Sequence, residues 1–132
     1  MSDRRGISGK AQARIGHPQG AVPFVLSATM TASDTAKTIG PEQAEFPFRV
    51  ILAWGIMTGA GAAADTAVIQ RVSGGTTSSI SNTADVSAFS NTDQFDFSQI
   101  DDATYKLSKG DKLQVTTVSG ALVEVYVLCV RV

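Results

Sequence analysis

The chain has 132 residues, enough for one domain and too few for two ordinary cores. Hydrophobic residues make up 43% and charged residues 17%, with 11 basic against 12 acidic side chains and a net charge of −1. That balance argues against disorder and gives no bulk attraction to nucleic acid or an anionic membrane. One histidine and one cysteine, His17 and Cys129, exclude an intrachain disulfide and a Cys/His zinc site.

Residues 1–21, MSDRRGISGKAQARIGHPQGA, differ from all that follows. Ile7 and Ile15 are the only large aliphatics, four glycines interrupt the segment, and Arg4, Arg5, Lys10 and Arg14 stand against Asp3. No period survives, so the segment is expected to be an extended basic arm that either frays or orders on a partner. It lacks the continuous apolar run of a secretory signal, and no stretch of the chain is long enough to span a membrane, so cytoplasmic synthesis without export is the simplest expectation.

From Val22 onward the composition favours strands. Val and Ile together number 21 against 6 Leu, and Ser and Thr number 26; branched side chains suit a pleated surface. Val22, Phe24, Leu26, Ala28 and Met30 alternate with small or polar residues and are expected to face inward, with Pro23 marking an edge. A turn at 32–34 leads to a short strand over 35–39, closed by Gly40-Pro41. Residues 46–58 form the strongest candidate strand. Strict alternation places Phe46, Phe48, Val50, Leu52, Trp54 and Ile56 in the core and Arg49, Ile51, Ala53, Gly55 and Met57 opposite. On that reading Trp54 is a core residue rather than a ligand platform.

GAGAAAD (59–65) lacks the endings of a phosphate or dinucleotide loop and is expected to be a flexible connection. Strands over 66–73 and 76–80 turn at Gly74-Gly75, a polar stretch follows over 81–94, and Phe95, Phe97 and Ile100 mark a short buried piece. After a turn at 108–111, strands over 113–118 and 121–132 are expected to form a hairpin at Ser119-Gly120. In the last strand Val123, Val125, Val127 and Cys129 share one face. Leu122, Tyr126, Leu128, Val130 and Val132, interrupted by Glu124, share the other. A sandwich sheet buries only one face in its own core, so the second needs a cover, either a subunit or the arm. The whole predicts an all-β fold: an antiparallel β-sandwich, a jelly roll of seven or eight strands over 22–132, with the extended arm at 1–21.

The residues give little material for catalysis. His17 lies in the arm, Cys129 lies in a core strand where a thiol is inert packing, and no base stands near a nucleophile. No catalytic, cofactor-binding or metal site is therefore expected. Asp93, Asp96, Asp101 and Asp102 could approach a calcium ion, but their spacing is not that of a calcium loop, and a solvated acidic edge is the expected role. Residues 42–102 carry 8 acidic and 2 basic side chains, and this segregation from the basic arm suits protein contacts better than polyanion binding.

Three stretches carry a family resemblance: AVPFVLSATMTASDT, FPFRVILAWGIMTGAGAAADT and YKLSKGDKLQVTTVSGALVEVYVLCV. The FRVILAW strand, the small-residue loop ending at Asp65-Thr66 and the KLSKGDKLQV hairpin resemble the jelly-roll decoration, or cement, proteins of tailed-bacteriophage heads. The resemblance implies a virion structural protein on the outer capsid surface, partnered by the major capsid protein and by itself. It implies a homotrimer at threefold and quasi-threefold positions that stabilises the shell, often through N-terminal arms. Contacts are then expected from Arg4, Arg5, Ile7, Lys10, Arg14 and Ile15 of the arm and from Tyr126, Leu128 and Val130 of the last strand, with no nucleic acid, membrane or cofactor involved. A head-fibre base, a receptor-binding jelly roll and a small carbohydrate-binding module are the alternatives.

Overall fold

A computed structural model describes residues 22–98, 100 and 105–132. Alternation of period two governs nearly every element: β1 (Pro23–Thr29), β2 (Ala36–Ile39), β3 (Phe48–Met57), β4 (Thr66–Ser73), β5 (Thr76–Ser79), β6 (Ala84–Asp85), β7 (Gln94–Phe97), β8 (Lys106–Leu107), β9 (Lys112–Val118) and β10 (Val123–Arg131). They form two antiparallel sheets. Sheet I has the order β2-β9-β4-β5, with β6 also on β4; sheet II has the order β1-β10-β3-β7, with β8 also on β3. Among the described residues eight strands have four or more residues. Numbered alone, they run second-seventh-fourth-fifth in one sheet and first-eighth-third-sixth in the other, the wrapping of a jelly roll.

The core lies between the sheets. Val123, Val125, Val127 and Cys129 of β10 are fully buried, and Ile69, Leu113 and Val115 of sheet I are buried opposite them. Each such aliphatic side chain contributes about 1.5–3 kcal/mol through removal from water. At one end Phe24, Phe46 and Phe48 meet edge to face with centroids 5.5–6.4 Å apart. The Arg131 guanidinium lies 4.5 Å above the Phe46 ring.

Four loops share one brace. Thr31, Ala62, Ser90 and Ser108 each donate a backbone N–H to the carboxylate of the aspartate three residues on, at 2.8–2.9 Å. Each aspartate, Asp34, Asp65, Asp93 and Asp111, returns its own N–H to the carbonyl of the first residue. Short side-chain acceptors of this kind close turns that the backbone alone would leave half-satisfied. Asp34 shows the electrostatic result: the bond from the Thr31 N–H, that from the Thr31 hydroxyl and the nearby Lys37 hold its carboxyl below the ordinary 3.8.

Several expectations need correction. The strand over β3 does not alternate throughout. Leu128 faces Leu52 while Cys129 faces Val50, so Ile51 is an extra residue and the register shifts there. A bulge of this kind turns two consecutive side chains to the same face, and both Ile51 and Leu52 are exposed. Beyond it every side chain is inverted relative to strict alternation. Ala53, Gly55 and Met57 enter the core, whereas Leu52, Trp54 and Ile56 point outward. The small residues make room for a neighbour: a Cβ on Gly55 would lie 2.4 Å from Phe95 Cζ.

Neither KLSKGDKLQV nor the turn at Ser119-Gly120 is a hairpin, because β8 and β10 pair only within sheet II and β9 only within sheet I. Ser119 and Gly120 both have positive φ, 64° and 75°, as a tight hairpin turn would require. Here that geometry carries the chain from one sheet across to the other. Val22 is exposed rather than inward. Residues 59–65 are tied down rather than a plain connection. Gly61 N–H donates to the Phe89 carbonyl, Val86 N–H donates to the Asp65 carbonyl, and Asp65 is buried.

Candidate functional site

The two sheets present unlike outer faces. On sheet I, Gln114 Nε2 and the Thr116 hydroxyl both donate to Gln70 Oε1, at 2.9 and 2.6 Å, across adjacent strands. The centre of that face is hydrogen-bonded, and Val68, Val72 and the exposed Val118 share it. On sheet II the cross-strand registers stack outward side chains in four rows. The first row holds Pro23, Val130, Arg49 and Lys106; the second holds Val25, Leu128 and Leu52, with Ile51 beside them. The third holds Ser27, Tyr126, Trp54 and Asp96, and the fourth Thr29, Glu124, Ile56 and Gln94.

The middle of this face is apolar and open. Val25 is 52% exposed, Leu52 44% and Ile51 39%. Trp54 and Tyr126 stack across the β3–β10 pair with centroids 5.6 Å apart and planes 17° from parallel. A hydrogen bond to Glu124, then partial burial and then the Glu124 charge, raises the Tyr126 phenol above its ordinary 10, so it stays a neutral donor. The charges sit at opposite ends: Arg49 and Lys106 in the first row, Asp96 and Glu124 in the third and fourth. Among the described residues none of Arg49, Lys106 and Asp96 makes an ion pair. Contiguous apolar surface rimmed by polar groups marks an interaction site.

Tyr126, Leu128 and Val130 thus stand together on one face, half-buried, as the period of β10 requires. Arg4, Arg5, Ile7, Lys10, Arg14, Ile15 and His17 lie outside the described residues. The alternation already turns Val25 and Ile51 outward, where they are found; Leu52 and Trp54, expected in the core, are the members of the face that it misses. The available signal was the pairing of two bulky residues, Ile51-Leu52, ahead of two small ones at alternate positions, Ala53 and Gly55. That pattern places the small side against an aromatic core.

Other clusters offer less. A cleft of about 290 Å3 lies between β1 and the loop before β3, lined by Phe24, Leu26, Pro41, Ala44, Phe46 and Phe48, with Glu45 its one ionisable lining residue. Cys129 is fully buried and its thiol is pushed up to about 12 by that burial, so it is neither nucleophile nor ligand at neutral pH. Asp93 braces its own turn and Asp96 lies on the sheet II face, while Asp101 and Asp102 fall outside the described residues. Among the described residues no group of three or more His, Cys, Asp or Glu is placed to hold a metal ion.

No protein-family model matches the sequence, and no curated protein matches it. A solved structure shares the fold. A chain of the capsid asymmetric unit of cyanophage Pam1 superposes with a TM-score of 0.52 at 17% identity, over 92% of this chain and 96% of that one. A chain of infectious bursal disease virus, Gt strain, is similar over 85% of this chain but only 32% of its own length, at 13% identity and a TM-score of 0.37.

Proposed function

We propose that this chain is a structural protein of a virus particle: a decoration, or cement, protein that binds the outer surface of a bacteriophage head and stabilises its shell. Its partner is the major capsid protein, and it sits as a homotrimer at threefold and quasi-threefold positions. The observation that carries the reading is the likeness to a chain of a cyanophage capsid asymmetric unit over 92% of this chain and 96% of that one. The apolar face of sheet II supports it, since a free domain would have little reason to keep Val25, Leu52 and Ile51 in water. No chemistry is required of the chain, which acts by mass action. A ligand that binds only the assembled shell stabilises it by RT ln(1 + [L]/Kd), about 2.7 kcal/mol at a concentration 100-fold above Kd.

The test is to add purified protein to undecorated heads, measure co-sedimentation and record the temperature at which heads rupture. Saturable binding with a raised rupture temperature is the expected result; a supernatant holding all the protein at every ratio would end this reading. The outward Trp54–Tyr126 stack favours one alternative, a carbohydrate-binding module, because sugars pack on exposed aromatic faces. A glycan array that gave binding lost in Trp54→Ala, with no head binding, would select it.

A further inference from the structure

We propose that the outer face of sheet II docks onto the same face of a second copy, with the two copies related by a two-fold axis. The layout of charge along the strands selects both the occupant and the symmetry. Arg49 and Lys106 mark one end, Asp96 and Glu124 lie toward the other, and the apolar row of Val25, Leu128 and Leu52 lies between. β7 and β8 flank β3 on the same side. An axis lying in the face, across the strands and between the Leu128 and Tyr126 rows, therefore lays each strand antiparallel over its own copy.

Lys106 of one copy then stands over the Gln94–Asp96 end of the other, and Arg49 stands beside Glu124. Leu52 meets Trp54 and Leu128 meets Tyr126, so an aliphatic side chain covers each half-buried aromatic. An axis along the strands would instead bring Arg49 against Arg49. Sheets stack face to face about 10 Å apart with strands within about 30°, so this contact needs no rearrangement of either copy. An isologous patch must be self-complementary, and few arrangements of four charges on one face satisfy that.

The placement of the contact on a particle rests on the reading above. Neighbouring threefold positions of a shell are related across local two-folds, so such pairs would join adjacent trimers into a continuous net. The contact itself is testable in solution. Light scattering or sedimentation from micromolar to sub-millimolar concentration compares wild type with Leu52→Glu, Asp96→Lys, Lys106→Asp and the double swap Asp96→Lys/Lys106→Asp. All three substituted positions are exposed, and circular dichroism reports whether each of the four variants remains folded.

The expected result is that wild type reaches twice the mass of Leu52→Glu, with pair dissociation at least about tenfold weaker in that variant. Each single charge reversal should weaken pairing, and the double swap should restore it. Unchanged mass in Leu52→Glu, a drop to one third rather than one half, or no recovery in the double swap would overturn the proposal. So would removal of residues 2–16 converting a monomer into a pair, because the chain's own amino-terminal segment would then be the cover. Head binding by a wild type that does not pair defeats this inference alone; a wild type that pairs without binding heads defeats the decoration reading alone.

Discussion

Replacing Gly55 with alanine tests which side of β3 faces the core. The new Cβ would lie 2.4 Å from Phe95 Cζ and 2.8 Å from Cε1, whereas carbon atoms rest about 3.5–4.0 Å apart. The ring must therefore move by about 1 Å. Phe95 is 7% exposed and packs 5.2 Å from the Phe97 centroid and 5.7 Å from that of Phe89, so it has little room. Overpacking of this kind costs about 1–3 kcal/mol. The smaller loss of backbone freedom for alanine in a strand offsets about 0.5–1 kcal/mol of that. A net loss of about 0.5–2 kcal/mol lowers Tm by roughly 2–10 °C in a domain of this size. Phe95→Leu removes the offending atoms, so Gly55→Ala should cost almost nothing in that background, a coupling of about 1 kcal/mol or more. Thermal and urea unfolding of the four proteins measures the cycle. If Gly55→Ala is neutral and additive with Phe95→Leu, Gly55 does not face the core, and the bulge and the outward placement of Trp54 fall with it.

Two further outcomes follow from ionisable groups. Asp34 has a folded pKa below its ordinary value, so the turn it braces is fully stabilised above about 3.8 and weakens as pH falls through the lower folded value. The carboxyl carbon of Asp34, followed by NMR, should titrate below 3.8, and Asp34→Asn should keep the turn while removing that pH response. Cys129, with its pKa pushed up to about 12 by burial, should resist a thiol-specific reagent in the folded protein and react fully in concentrated guanidinium; rapid native labelling would mean that β10 opens locally.

The strand spans were largely legible, because turn chemistry and period-two patterning are local. Gly74-Gly75 marks a hairpin that is there, and Val123 to Cys129 alternate as the core demands. What was not legible depends on partners distant in sequence. The extra residue at Ile51 exists only relative to β10, and strict alternation carried past it puts Trp54 on the wrong side. Ser119-Gly120 has the φ signature of a hairpin, yet whether its flanking strands pair or part is decided by β2, β4, β1 and β3. The aspartate brace could have been read: TASD, AAAD, SNTD and SKGD all place a carboxylate three residues after a residue that opens a turn. That role removes Asp93 from any acidic cluster. The sheet II face was half legible, through β10, because its β3 half lies beyond the bulge.

The wrapping of the strands also governs the order of events during synthesis. Thr29 of β1 faces Glu124 of β10 across 95 positions of chain. At about 5–20 residues per second, β1 waits roughly 5–20 s on the ribosome for the strand that will cover its hydrogen-bonding edge. Neither sheet can be completed early, because β2 likewise needs β9. Non-local pairing of this kind closes in milliseconds to seconds once the whole chain is free. Phe24 and Leu26 therefore emerge well before the strand beside which they find their place, and for that interval the nascent chain is a substrate for whatever chaperone or protease meets it first.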